Sequence, residues 1–87
     1  MIRYTVLWGQ AAEAELATIW CDCPNRQDVN NATNRIDGEL REDAHQKGFT
    51  LPRNLKSFSS PPLTVCFRVD EADRKVFVEA VQLTEIN

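Results

Sequence analysis

Four basic residues, Lys47, Arg53, Lys56 and Arg68, lie in a stretch of this chain that contains no acidic residue. This acid-free window runs from residue 45 to residue 69. Eight acids and four bases precede it, and five acids and two bases follow it. The formal charge of −3 is therefore the sum of −4, +4 and −3 over the three parts. Because concentrated positive charge attracts phosphate, the window predicts an anion-binding or nucleic-acid-binding site.

The same cations are suited to chemistry on a phosphate ester, which needs a base, an acid and cations for the phosphate. Arginine supplies the cations, and Lys56 could act as the base only if burial or neighbouring positive charge favoured its neutral form. His45 is the only histidine, and histidine is suited to proton transfer near neutral pH. Its place at the end of a predicted helix favours a structural or solvated role instead. The alternative for all these cations is a solvated surface.

The three cysteines, Cys21, Cys23 and Cys66, predict neither a metal site nor a disulfide framework. Zinc sites usually show two spaced ligand pairs, whereas this chain has one tight cysteine pair and a single histidine, His45. An odd cysteine count without an export signal also argues against disulfides. We therefore expect small buried or half-buried thiols, with no metal and no cofactor.

Length and composition predict one domain spanning residues 1–87, with a small core. The hydrophobic content of 43% and the charged content of 26% are typical of a globular protein. No apolar run approaches the roughly 18 residues of a membrane span, and the N-terminus resembles a strand more than a signal peptide. We therefore expect a cytoplasmic location and no membrane partner.

Hydrophobic periodicity predicts the elements that position these residues. Alternation over residues 2–8 predicts a strand, and helical spacing predicts a helix over about residues 10–21. A second helix, capped by Asp22 or Asn25, carries an apolar stripe that ends at Leu40. Three strands follow, at residues 55–58, at residues 63–69 and from residue 75 to residue 81. The prediction is an α+β fold of order β-α-α-β-β-β, a helical hairpin packed on a small, mainly antiparallel sheet.

The apolar stripes predict which side chains meet in the core. Trp8 and Trp20 also lie on such stripes, so we expect them to pack inside rather than to stack on bases. In the last strand, Ala80 alternates in phase with the buried valines, and apolar residues on both faces predict a central position in the sheet. The predicted core consists of Leu16, Ile19, Ile36, Leu40, Val65, Phe67, Val76 and Val78.

Five stretches between Tyr4 and Val81 carry a resemblance to a known family. They read Tyr4-Thr5-Val6-Leu7-Trp8, Ala12-x-x-x-Leu16-x-x-Ile19-Trp20, Ala32-x-x-x-Ile36-Asp37-x-x-Leu40, Pro62-Leu63-Thr64-Val65-Cys66-Phe67-Arg68-Val69-Asp70 and Asp73-Arg74-Lys75-Val76-Phe77-Val78-x-Ala80-Val81. With the predicted element order, the chain resembles the toxin half of RelE/ParE-type toxin–antitoxin pairs over nearly its whole length. Such patterns support an architecture more directly than an activity.

The resemblance implies a bacterial toxin held inactive by an antitoxin protein that is encoded beside it. Family members look like RNases that cut messenger RNA in the ribosome, or like poisons of DNA gyrase. The RNA-cutting branch uses Arg and Lys on the open face of the sheet. By this resemblance Arg53, Lys56 and Arg68 are the candidate catalytic residues. Lys47 joins them as a candidate for binding nucleic acid or another anion.

The sequence departs from the RNA-cutting pattern in places that leave the enzyme class open. Thr64 stands where an arginine usually opens the third strand, and Phe67 stands where a tyrosine usually follows. The C-terminal stretch 82–87 lacks the usual basic residue, and no tyrosine follows Tyr4. The leading hypothesis is a toxin that acts on translation through messenger RNA or the ribosome, as a ribosome-dependent endonuclease if its chemistry is intact. The alternatives are a catalytically degenerate binding module on the same scaffold, a gyrase-type poison or an unrelated structural domain.

Overall fold

Two helices pack on a five-stranded sheet in the computed structural model, which describes residues 2–84. Two short 3-10 turns flank the second strand, at Ala44–Gln46 and Pro52–Asn54. The elements in chain order are β1 (Thr5–Trp8), α1 (Gln10–Asp22), α2 (Arg26–Leu40), β2 (Phe49–Thr50), β3 (Leu55–Ser60), β4 (Leu63–Asp70) and β5 (Lys75–Leu83).

The strands lie in the order β1-β5-β4-β3-β2, with β1 parallel to β5 and every other pair antiparallel. The predicted α+β class, element order and central position of the last strand are therefore confirmed. The edge strand β2 was not predicted, because two residues are too few to show a period.

Strand alternation divides the sheet into a helix-facing side and an open side. Phe67 on β4 lies opposite Lys56 on β3 and Val78 on β5, and side chains directly opposite one another share a face. Phe67 and Val78 are fully buried beneath the helices. Cys66 and Arg68, which flank Phe67 in the sequence, therefore project from the open side.

A β-bulge changes which residue of β5 turns inward. The register shifts between Cys66 and Phe67, so that Cys66 pairs with Ala80 while Phe67 pairs with Val78, and Glu79 becomes the extra residue. An extra residue shifts the alternation by one position. Val81 is consequently buried at 3% exposure, and the sequence-based placement of Ala80 on the buried side was wrong.

The hydrophobic core follows the predicted stripes closely. Leu16 and Ile19 of α1 are half-buried and pack against its edge. The other six predicted core residues have no exposed surface, and they are Ile36, Leu40, Val65, Phe67, Val76 and Val78.

Of the two tryptophans, Trp8 packs against the core as the sequence predicted, and Trp20 does not. Trp8 is half-buried, and its indole N–H donates a hydrogen bond of 3.2 Å to Asp37 of α2. Trp20 is 38% exposed, so its predicted burial was wrong. The guanidinium of Arg26 lies 4.5 Å from the Trp20 ring centroid, an arrangement that stabilises a partly exposed indole by cation–π attraction.

Truncation of Leu40 tests the packing of α2. Because this side chain is fully buried, we expect Leu40→Ala to lower the free energy of unfolding by about 2–5 kcal/mol. Denaturant melts of the two proteins measure the difference. A loss below about 0.5 kcal/mol would show that α2 does not pack as described.

Two glycines test the described backbone, because substitution by alanine should stabilise the protein at one of them and destabilise it at the other. A Cβ on Gly38, inside α2, would meet no atom within 4 Å, so Gly38→Ala should stabilise the protein by about 1 kcal/mol. Gly48 has a φ of 69°, and a Cβ there would collide with the carbonyl oxygen of Ser57. Gly48→Ala should therefore destabilise the protein by more than about 1 kcal/mol. Thermal melts that rank the two variants the other way would contradict the described backbone.

Candidate functional site

A cavity of about 490 Å³ opens where strand β4 extends past the beginning of β3. Leu55, the first residue of β3, pairs with Arg68, so the end of β4 has no partner on that side. The turn that contains His45 closes the cavity from the helix-facing side. Its lining residues are His45, Thr50, Asn54, Leu55, Lys56, Arg68, Val69, Asp70 and Glu71.

Lys56 is the cation that the fold holds on the wall of this cavity. Its partner across the sheet is Phe67, so Lys56 projects from the helix-facing side and not from the open face that sequence reasoning assigned to it. Its ammonium donates a hydrogen bond of 2.7 Å to the carbonyl oxygen of His45. An ammonium carries three N–H donors, so two remain for a ligand.

Arg68 contributes to the cavity wall but sends its guanidinium to the open face. The guanidinium lies 4.9 Å from the ring centroid of Phe77, and its Nε donates to a carboxylate oxygen of Glu79 at 3.4 Å. Half of the Arg68 side chain remains exposed. It is thus positioned by a cation–π contact and a weak ion pair, both outside the cavity.

Lys47 and Arg53 lie apart from the cavity wall. The Lys47 ammonium forms an ion pair of 2.8 Å with Glu39 of α2, and this hydrogen bond raises the pKa of Lys47 against the opposing effect of desolvation. Arg53 is exposed in the 3-10 turn that precedes β3. The structure therefore does not bring the four predicted cations into one cluster, because strand alternation and partners elsewhere in the chain separate them.

In the folded protein, acidic residues from other parts of the sequence lie beside the acid-free window. Glu39 lies against Lys47 and Glu79 lies against Arg68, while Asp70 and Glu71 stand on the cavity wall. All four acids are outside the window in sequence. The role of the window's cations in binding or catalysis stays a prediction, now centred on Lys56.

His45 has a defined contact that sequence reasoning missed. Its Nδ1 lies 3.0 Å from the phenolic oxygen of Tyr4, and only 5% of Tyr4 is exposed. His45 also lines the cavity and accepts the Lys56 hydrogen bond on its carbonyl. No local pattern predicts the contact, because Tyr4 and His45 are 41 residues apart in sequence.

The open face carries hydroxyl groups where the RNA-cutting pattern has an arginine. Thr64 bonds to Ser59 at 2.9 Å and to Thr84 at 2.8 Å through side-chain oxygens. Burial, aided by Glu79, raises the pKa of Cys66, which favours the thiol over the more nucleophilic thiolate. The C-terminal stretch without a basic residue continues beyond Thr84, outside the described residues.

The comparisons with known proteins show the fold. No protein-family model and no curated protein matches this sequence. Among solved structures, the chain is similar to the toxin–antitoxin complex RelBE2 from Mycobacterium tuberculosis, with a TM-score of 0.79 at 18% identity. That match covers 97% of this chain and 94% of the other. The chain has a RelE/ParE-type toxin fold.

Two further structures show the same RelE/ParE-type fold. The match to the chromosomal ParDE system of P. aeruginosa has a TM-score of 0.71 at 14% identity, and covers 98% of this chain and all of the other. The match to a mutant of the E. coli toxin RelE in the free state has a TM-score of 0.70 at 14% identity. It covers 95% of this chain and 85% of the other.

Two structural features are absent from the part of the chain that the structure describes. Neither helix within residues 2–84 has the length and apolar character that crossing a membrane requires. Within the same residues, no three His, Cys, Asp or Glu side chains are grouped closely enough to bind a metal ion.

At Arg53, two substitutions separate the effect of backbone strain on stability from the effect of the side-chain charge. Arg53 has a φ of 65° and Asn54 a φ of 64°, and left-handed backbone costs most side chains about 1–2 kcal/mol. Arg53→Gly should relieve this strain and, after the entropic cost of glycine, raise the free energy of unfolding by about 0.5–1 kcal/mol. Arg53→Ala removes the same charge but keeps the strain, so denaturant melts should show no gain. Equal effects of the two substitutions would contradict the strain.

Proposed function

We propose that this chain is the toxin module of a toxin–antitoxin pair, acting on translation through RNA or the ribosome. The observation that carries the proposal is the likeness of fold to RelBE2, ParDE and RelE over nearly the whole chain. These neighbours are toxins or toxin–antitoxin complexes by name, and the identity of 18% or less leaves the activity to be tested.

The cavity beside Lys56 supports an RNA target. The half-buried ammonium is fixed at 2.7 Å from a backbone carbonyl, and it retains donors for a phosphate oxygen. Arg68 projects from the adjoining open face opposite Leu55, the residue before Lys56 in β3, where it could bind a second phosphate of an extended strand. Two cations separated in this way suit an RNA backbone that passes around the end of β3 better than they suit a single compact anion.

Exposed apolar surface supports an antitoxin partner. Phe49 is 80% exposed on the edge strand β2, and Leu83 is 50% exposed at the end of the interior strand β5. A groove of about 340 Å³ between α1 and α2 is lined by Leu16, Trp20 and Val29 among others. Contiguous apolar surface such as this groove is typical of protein interaction sites, and a segment that folds on binding can cover the groove and separate apolar side chains at once.

A second candidate is a binding module on the same scaffold that lacks catalysis. The observation that favours it is Thr64, whose hydroxyl bonds to Ser59 and Thr84 where the RNA-cutting pattern has an arginine. Losing one donor to the transition state costs about 10²–10³ in rate. The two candidates therefore differ in RNA cleavage, and they share RNA or ribosome binding.

Inducible expression in a sensitive bacterial host tests the proposal. The wild-type chain should arrest growth, stop incorporation of labelled amino acids, and be neutralised by the product of the adjacent gene. Lys56→Gln keeps a donor for the His45 carbonyl but removes the charge, so it should weaken the arrest. Arg26→Gln removes one charge from the helical hairpin, outside the residues that line the cavity, and should arrest growth like the wild type.

The outcomes separate the candidates. Arrest of translation with cleavage of messenger RNA supports an endonuclease, and arrest without cleavage supports the binding module. Altered DNA supercoiling with normal translation would favour a gyrase poison and contradict the translational target. Normal growth at full expression, with no complex formed with the neighbouring gene product in gel filtration, would contradict the toxin proposal itself.

A further inference from the structure

The Tyr4–His45 contact couples the tautomer of the histidine to the direction of one hydrogen bond. Tyr4 is 95% buried, and the Nδ1 atom of His45, at 3.0 Å, is the sole hydrogen-bond partner of its hydroxyl among residues 2–84. The guanidinium of Arg74, 5.9 Å from the Tyr4 ring centroid, has no acceptor to offer.

A neutral imidazole has one N–H donor and one acceptor nitrogen. A largely buried hydroxyl favours an acceptor for its proton, and Nδ1 of His45 is the one hydrogen-bond partner that the described residues give the Tyr4 hydroxyl. This arrangement favours the tautomer in which the phenol donates to Nδ1. The ring proton of neutral His45 is then on Nε2, which has no hydrogen-bond partner within residues 2–84.

His45 and Lys56 are neighbours at the cavity. Both residues line it, and the Lys56 ammonium lies 2.7 Å from the His45 carbonyl oxygen. The groups that face them are Arg68, Asp70 and Glu71 on the β4 side. Asp70, which accepts a hydrogen bond from the backbone N–H of Asp73, and exposed Glu71 both add negative charge that opposes an anion.

We propose that Tyr4 fixes His45 as an Nε2–H donor, and that this N–H and the Lys56 ammonium together hold one phosphodiester oxygen of RNA in the cavity. The inference rests on the proposed RNA target and adds His45 as a binding residue and Tyr4 as its positioning residue. Because Nε2 keeps its proton in the neutral ring, His45 serves as a hydrogen-bond donor in this site and not as the base.

The first test is the tautomer, which nitrogen NMR reports directly. His45 is the only histidine, so its ring signals need no assignment by mutation. The wild-type chain should show the Nε2–H form, and Tyr4→Phe should shift the ring toward a mixture of the two forms. A wild-type ring protonated on Nδ1, donating to the Tyr4 oxygen, would overturn the proposal.

The second test measures the affinity of each variant for a short single-stranded RNA by titration at fixed salt. His45→Gln places an amide N–H near the position of Nε2 and should bind within about threefold of the wild type. His45→Ala should bind about tenfold more weakly, which corresponds to roughly 1.4 kcal/mol. Tyr4→Phe should lie between them, and Glu71→Gln should tighten binding by removing a like charge. Melting curves of each variant confirm that it is folded.

The outcomes distinguish the proposal from the function on which it rests. His45→Ala binding RNA like the wild type, while Lys56→Gln binds weakly and the wild type arrests growth, would overturn the His45 assignment and leave the toxin intact. Wild-type protein that neither binds RNA nor arrests growth would overturn both. Inorganic phosphate binding as tightly as the RNA would show a free-anion site and contradict phosphodiester recognition.

Discussion

Burial of Phe67 at the centre of the sheet is the constraint on which the rest of the structure depends. This ring has no exposed surface, and it lies between Lys56 on β3 and Val78 on β5. Because side chains alternate along a strand, its inward orientation sends Arg68 to the open face and keeps Lys56 on the helix-facing side. A one-residue slip in this register would exchange the two faces, and the cavity beside Lys56 would be lost with the core.

Patterns within single elements could be predicted from the sequence, because periodicity is a local signal. The apolar stripe of α2 and the alternation of β4 both place their buried residues correctly. The bulge at Glu79 and the exposure of Trp20 could not be predicted, since each depends on a neighbouring element. For the same reason the Tyr4–His45 contact, which joins β1 to a turn 41 residues later, left no sequence signal.

Charge patterning predicted the neighbourhood of the candidate site but not its arrangement. A window without acids in sequence acquires Glu39 and Glu79 as ion-pair partners in space, because the fold brings α2 and β5 beside it. Lys47, Lys56 and Arg68 are therefore each held by a separate partner instead of forming one positive surface. We expect such a site to select ligands by the positions of its donors more than by net charge, and the overall charge of −3 disfavours non-specific binding to polyanions.

The measurement that tests this account most directly is a map of backbone amide shifts as a short single-stranded RNA is added to labelled protein. If the cavity is the binding site, the largest changes will fall on His45, Thr50, residues 54–56 and residues 68–71, and they will diminish as salt is raised. Changes confined to the open face, at Ser57, Thr64, Cys66 and Ala80, would contradict the account, as would an unchanged spectrum.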